Sequence, residues 1–232
     1  MGMFLRRGYA QRGTRASDLE IGQTIKLNVN GKAWDWLVVH QGLPSSIYDA
    51  SCDGTWLLMK DIYENRKWNS TNSNVLETST IQSYLNGDFL NLFDGNIKDA
   101  IKQVKIPYRK NGGYGGTDQS GSNGLSCKIF PLSGYEVGFT KNDDIYFPLD
   151  GAKLSYFEAG TGTSADNKRI AYQNGSATYW GLRSPDASDN DYVHTISSMG
   201  RASVNKAGFS SGVRPAFVLP SDFIVSKEML AT

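Results

Sequence analysis

The sequence has little of what metal sites, disulfide scaffolds and thiol enzymes are built from. Two cysteines and two histidines stand in 232 residues. Cys52 and Cys127 lie far apart, in neither a CxxC nor any other metal-ligand spacing, which argues against a zinc site and a disulfide framework. They read as free, buried thiols, with one long-range disulfide as the alternative. An excess of one charge is also missing. The 24 basic and 23 acidic residues leave no field that would draw the chain to nucleic acid or to an anionic membrane. No apolar run is long enough for a signal-peptide core or a membrane span, so synthesis and folding in a bacterial-type cytoplasm are expected, without membrane insertion. The Gly-rich stretch at 108–126 lacks the G-x-x-x-x-G-K-[ST] order that cradles phosphate, and no dinucleotide fingerprint opens a helix. That stretch reads as a mobile surface loop, and no cofactor is expected.

What is present describes a loop-rich α+β protein. The 25 glycines point to many turns, and the length suits one hydrophobic core. Residues 1–17, carrying Arg6, Arg7, Arg12 and Arg15, show no periodicity. They read either as a loose terminus or as an arm that orders against a neighbouring subunit, leaving 18–232 as a single domain. Strand-like runs at 24–29 and 33–41 flank Asn30-Gly31, a pair suited to the positive φ angles of a type I′ hairpin turn. Period two puts Trp34, Trp36, Val38 and His40 on one face, and Leu37 and Val39 on the other suggest burial on both sides. The run at 55–60 is expected to pair with this hairpin. Thr78, Ser79 or Thr80 could cap a helix carrying Ile81, Tyr84 and Leu85 and stopped by Gly87. Asp94 or Asn96 could open a second, with Ile97, Ala100, Ile101 and Val104 at helical spacing. Residues 150–157 read as a further helix.

The C-terminal third has a different texture. YWGLRSP at 179–185 and SGVRPAFVLP at 211–220 bracket two strand-like pieces, around 192–197 and 201–205, with a tight turn at Met199 and Gly200. Their polar side chains, among them Ser188, Ser198 and Lys206, are too many for a core on both faces and too regular for a linker. From the residues alone, an ordinary solvated hairpin and a binding face both remain open.

At these two motifs the chain resembles a widespread bacterial and phage domain of unknown function. In that domain the C-terminal segment reads W-W-L-R-S-P, then variable strands, then G-V-R-P-A and an apolar tail. WLLMKDIYENRKWN at 56–69 and TIQSYLNGDFLNLF at 80–93 fit the same order, so the resemblance covers residues 20–222 or so. It implies a C-type-lectin-like fold, α+β with short helices on a mainly antiparallel sheet and a long C-terminal hairpin region. That fold is shared by formylglycine-generating enzymes and by variable proteins of diversity-generating retroelements, such as the phage major tropism determinant.

The implied function is non-catalytic recognition of a bacterial surface protein or glycan by a virion-associated tail or surface protein. Such a protein would be a homo-oligomer or would meet virion neighbours through the arm. The alternative is a structural or decoration protein with a passive hairpin. The ligand-facing residues implied are Tyr179, Gly181, Asp186, Asn190, Asp191, Tyr192, His194, Ile196, Arg201, Ser203, Asn205 and Phe209, with Gly181 standing where the family has its second tryptophan. Trp180, Arg183 and Arg214 are read as framework, the arginines as half-buried guanidiniums tying loop carbonyls or carboxylates together.

Catalysis finds little support. The formylglycine-generating activity needs a C-terminal cysteine pair that this chain lacks. A Cys–His nucleophile built from Cys52 or Cys127 with His40 or His194 has no identifiable orienting group. Asp186, Asp189 and Asp191 could hold calcium, but the EF-hand order and the E-P-N and W-N-D tripeptides of sugar-binding C-type lectins are absent.

Overall fold

The computed structural model describes residues 13–230. Ten strands build its two main sheets: β1 (Thr24–Val29), β2 (Lys32–Gln41), β3 (Thr55–Met59), β4 (Glu64–Lys67), β5 (Ile129–Pro131), β6 (Trp180–Pro185), β7 (Tyr192–Ile196), β8 (Ala202–Lys206), β9 (Ser210–Val213) and β10 (Pro215–Leu219). The first sheet runs β5-β10-β3-β2-β1 and is antiparallel throughout. The second runs β8-β7-β6-β9-β4, with one parallel step between β6 and β9. The helices are short: α1 (Thr80–Tyr84), α2 (Gly95–Ala100), α3 (Thr163–Arg169) and α4 (Lys227–Leu230). Mixed α+β architecture with mostly antiparallel sheets is therefore established. Among the described residues no helix is long and apolar enough to cross a membrane.

The centre of the first sheet is buried on both faces, as the two-sided apolar pattern of β2 anticipates. Trp36 and Val38 join the core that α1, α2 and Phe217 complete. Leu37 and Val39 enter the opposite core with Trp56, Phe130, Trp180 and Leu182. Burial of each such large side chain contributes ~1.5–3 kcal/mol, so the sheet's two faces dominate the stabilisation. Asn30 and Gly31 take positive φ values of 53° and 71°, and β1 and β2 pair in the register that a two-residue turn dictates. β3 lies beside this hairpin as expected.

Several expectations are corrected. Gly87 does not stop the first helix. The helical path continues through a π turn, Leu85–Phe89, to Leu92, because Leu85 and Phe89 are fully buried and their packing outweighs the ~1 kcal/mol that glycine costs. Val104 leaves α2 and pairs with Cys127 in a two-stranded ladder. Residues 150–157 are irregular and end in a turn rather than forming a helix, since their amides are taken by tertiary partners: Ala152 donates to Tyr48 Oη, Leu154 to Glu136 O and Tyr156 to Val39 O. The segment 108–126 is not all loop, because Tyr108–Lys110 pairs with Thr117–Gln119. Of the arm proposed over 1–17, residues 1–12 lie outside the described residues. Its last residues belong to the fold: Thr14–Arg15 pairs with Ile224–Val225, and Ala16 is fully buried.

Candidate functional site

The site is built on a buried charged frame. Arg183, wholly enclosed on β6, uses all five guanidinium N–H groups. Nε donates to Pro107 O, Nη1 to Pro131 O and Glu136 Oε2, and Nη2 to Glu136 Oε1 and Asp150 O, at distances from 2.6 to 3.1 Å. Burial works against its charge, but Glu136 more than offsets this and holds the guanidinium above its ordinary range. Glu136 also accepts from Tyr48 Oη and Ser133 N. Burial pushes the Asp150 carboxyl up to about 7 against the pull of Arg183, and Ser184 Oγ donates to it at 2.7 Å. One arginine thereby fixes four separate segments. Arg169, also fully buried and not singled out by its sequence context, does the same for Gly200, Val137 and Gly160. Arg214 bonds Met59 O and Lys60 O and lies 4.8 Å over the Trp180 ring. The framework residues are thus more deeply buried than the half-buried state expected.

Above this frame several loops are tied to one another. Asn74 is their centre. Its amide Nδ2 donates to Asp189 O at 2.8 Å and Tyr192 O at 2.7 Å, its Oδ1 accepts from Gly113 N at 3.0 Å, and its backbone N donates to Asn190 O. Gly113 must be glycine, since a Cβ there would run into the carbonyls of Asp186 and Asp189. Tyr146 O accepts from Ala187 N, Leu149 N donates to Asp118, and Ala207 N donates to Asp191 O. On these linked loops stand Tyr114 (74% exposed), Ile145 (68%), Phe209 (59%), Leu149 (53%) and Tyr146 (44%). These large apolar side chains are thus exposed on loops that hydrogen bonds join to one another.

Of the residues expected to face a ligand, Asp186, Asn190, Asp191, Tyr192 and Phe209 stand on these loops, half-exposed or exposed. Tyr179 and Arg201 are exposed but lie at the other end of the β7–β8 hairpin, where Arg201 approaches Asp166 at 3.5 Å. Ser203 and Asn205 are half-exposed on the edge strand β8. Gly181, His194 and Ile196 are corrected, because all three are buried. An added Cβ at Gly181 would lie 3.0 Å from Ser211 Oγ, and Ile196 packs in the core with Trp180. The carboxylates of Asp186 and Asp189 turn back on their own loop, accepting from Ser188 and from Asp191 N. Among the described residues no three His, Cys, Asp or Glu side chains are placed to hold a metal ion. Both cysteines are buried and unpaired, and burial pushes their thiols up to about 11 for Cys52 and about 12 for Cys127. Tyr114, Tyr146 and Asn74 carried no local signal as site residues, since their roles depend on contacts distant in sequence.

His194 is covered by the 140–149 segment. Its ring stacks on Phe147 at 3.9 Å between centroids, and its Nδ1 lies 3.8 Å from Asp144 Oδ2, too far for a hydrogen bond. Burial lowers its pKa below 6.5, opposed by the carboxylates of Asp144 and Asp186 and by the nearby Tyr146 backbone. The unfolded chain binds this proton near pH 6.5 and the folded chain resists it. Stability is therefore full above pH 6.5 and falls as pH drops through that value toward the lowered folded one. His194→Phe, which keeps the stacking, is expected to flatten the decline of melting temperature between pH 7 and pH 5 (the window set by that depressed pKa). An unchanged slope in a thermal melt series would count against this assignment.

Fold and site together define a mixed α+β protein in which an arginine-locked frame presents a set of tethered, aromatic loops. The chain belongs to the family described as Domain of unknown function (DUF6273), which matches residues 53–221. No curated protein and no solved structure matches it. The β1–β2 hairpin precedes the matched residues, although it completes the central sheet.

Proposed function

We propose that this protein is a non-catalytic binding module of C-type-lectin-like fold, which recognises a protein on a bacterial surface through the Asn74-centred loops. The observation that carries the reading is the exposure of Tyr114, Ile145, Tyr146, Leu149 and Phe209 on loops tied to one another by hydrogen bonds. Aromatic side chains supply contact area with few torsions to freeze, and the neighbouring Asn72, Ser188 and Asn190 supply adaptable hydrogen bonds. Loops already fixed to the frame lose little further freedom on binding. The fold reading is supported by the position of both arginine-proline motifs, one in each main sheet or at its entry, with the β7–β8 hairpin between them. Display in several copies on a virion or similar assembly would convert a modest single-site affinity into avidity.

The test uses the labelled full chain on a panel of bacterial cells, intact and protease-shaved. The combined variant Tyr114→Ser, Tyr146→Ser, Phe209→Ser is expected to lose more than ~10-fold in cell binding, as interface anchors do, with an unchanged melting temperature. Binding equal to that of the unsubstituted chain would favour a passive, decorating role. Equal binding to shaved and intact cells would overturn the protein partner.

A further inference from the structure

A second surface, remote from these loops, lies beside β4 at the opposite edge of the second sheet from β8. It is an open groove of ≈ 770 Å³ lined by Trp34, Tyr63 and Tyr172 together with Asp61, Asn65, Gln173 and Asn174. Trp34 and Tyr63 stand 5.2 Å apart, and Tyr172 is 46% exposed. The groove is preformed. The Tyr172–Gln173 and Ser176–Ala177 hairpin turns at Asn174 and Gly175, both at positive φ. It is clamped by Ile62 N to Tyr172 O at 2.9 Å, Tyr172 N to Asp61 Oδ1 at 3.3 Å, and Asn65 Nδ2 to Gln173 Oε1 at 2.9 Å.

The chemistry of the lining selects its ligand. Three aromatic rings in an otherwise polar groove offer apolar faces without an apolar pocket. Amide side chains both donate and accept, which matches hydroxyl groups that do both. Formal charge nearly cancels, with Lys32 set against Asp61, and Glu64 paired to Arg66 at 3.0 Å. A polymer of either sign gains nothing there. The volume falls within the ~300–1,000 Å³ of small-molecule sites, and the openness to solvent suits an extended chain. We infer that this groove binds a neutral oligosaccharide, its sugar rings laid against Trp34 and Tyr172 and its hydroxyls bonded to the amides and Asp61. Lys32, whose Nζ lies 4.4 Å from the Trp34 ring centre, has to turn away for a sugar to lie on that ring face. Lys32 and Trp34 precede the family match while residues 61–65 and 172–175 fall within it, so the groove joins the N-terminal hairpin to the shared domain.

The experiment screens the full chain against immobilised neutral oligosaccharides of glucose, mannose, galactose and N-acetylglucosamine, then titrates binders by tryptophan fluorescence. At least one series is expected to bind. Tyr172→Ala, at an exposed position that leaves the fold intact, and Trp34→Ala are each expected to weaken it by ~10-fold, the loss of one stacked ring. Lys32→Ala is expected to bind at least as tightly as the unsubstituted chain. Absence of binding to every series overturns the inference, as does binding indifferent to Tyr172→Ala. Preference for tetramethylammonium over all the sugars would reassign the groove to cations. Loss of sugar binding in the Tyr114, Tyr146, Phe209 variant, with Tyr172→Ala unaffected, would move the glycan to the loop surface. The protein-recognition reading stands or falls separately, on the shaved cells.

Discussion

Arg183→Met is expected to remove ~3–5 kcal/mol of folding stability, the loss seen when one partner of a buried ion pair is deleted. Total stabilities of ~5–15 kcal/mol make this a large share, so the variant melts far earlier or fails to accumulate. The cause is specific. Glu136 would remain fully buried with its negative charge uncompensated, and the carbonyls of Pro107, Pro131 and Asp150 would lose their donor. Arg183→Lys is expected to be nearly as damaging, because an ammonium keeps the charge but cannot span five acceptors as the planar fork does. Adding Glu136→Leu to Arg183→Met removes the stranded charge. The double variant should therefore lose ~2 kcal/mol less than the two single losses combined, a coupling typical of residues in direct contact. It should not recover fully, since Tyr48 Oη and Ser133 N lose their acceptor. Urea denaturation of the four proteins checks this, and simple additivity would show that the pair does not act as a unit.

Asn74→Ala is expected to cost ~2–4 kcal/mol, because three bonds to backbone groups disappear and leave buried donors and acceptors unsatisfied. The local effect is larger than the global one. Amides in 111–118 and 186–191 should exchange faster, since Gly113, Asp189 and Tyr192 would no longer share a tether. Cell binding through the loop surface should fall with it, although Asn74 is buried and touches no partner. Asn74→Asp gives the sharper comparison. It has the same shape, but an oxygen replaces the Nδ2 that faces two carbonyl oxygens, so repulsion adds to the lost bonds. It should destabilise more than alanine does. An aspartate tolerated better than alanine in thermal melts would contradict the assigned amide orientation.

Local rules read well wherever a residue's environment is set by its neighbours in the chain. Asn30-Gly31 specified the hairpin, alternation along β2 separated the two cores as far as Val39, beyond which a bulge sets His40 opposite Trp56 rather than on the face of Trp36 and Val38, and Met199-Gly200 marked the β7–β8 turn. The same rules failed where polarity was taken for exposure. His194 and Thr195 are polar yet buried, because the segment after Glu136 folds back over one face of β7 while the other packs toward the first core. Gly181 lies in a strand with both faces covered, so a missing side chain there marks close packing rather than a ligand position.

Determined by the sequence alone were the loop-rich α+β class and the central hairpin, while the free state of the thiols was only favoured over a disulfide and the framework reading of Trp180, Arg183 and Arg214 came with the resemblance at the two motifs. The class and the hairpin follow from short-range periodicity and turn chemistry. The partners of Arg183, the tether at Asn74 and the exposure of Tyr114, Ile145 and Tyr146 were decided only by tertiary structure. So was the groove that brings Trp34 to Tyr172. These join residues up to well over a hundred positions apart. A hydrogen bond or a shared surface at that separation depends on how sheets stack and loops cross, and no local pattern encodes it.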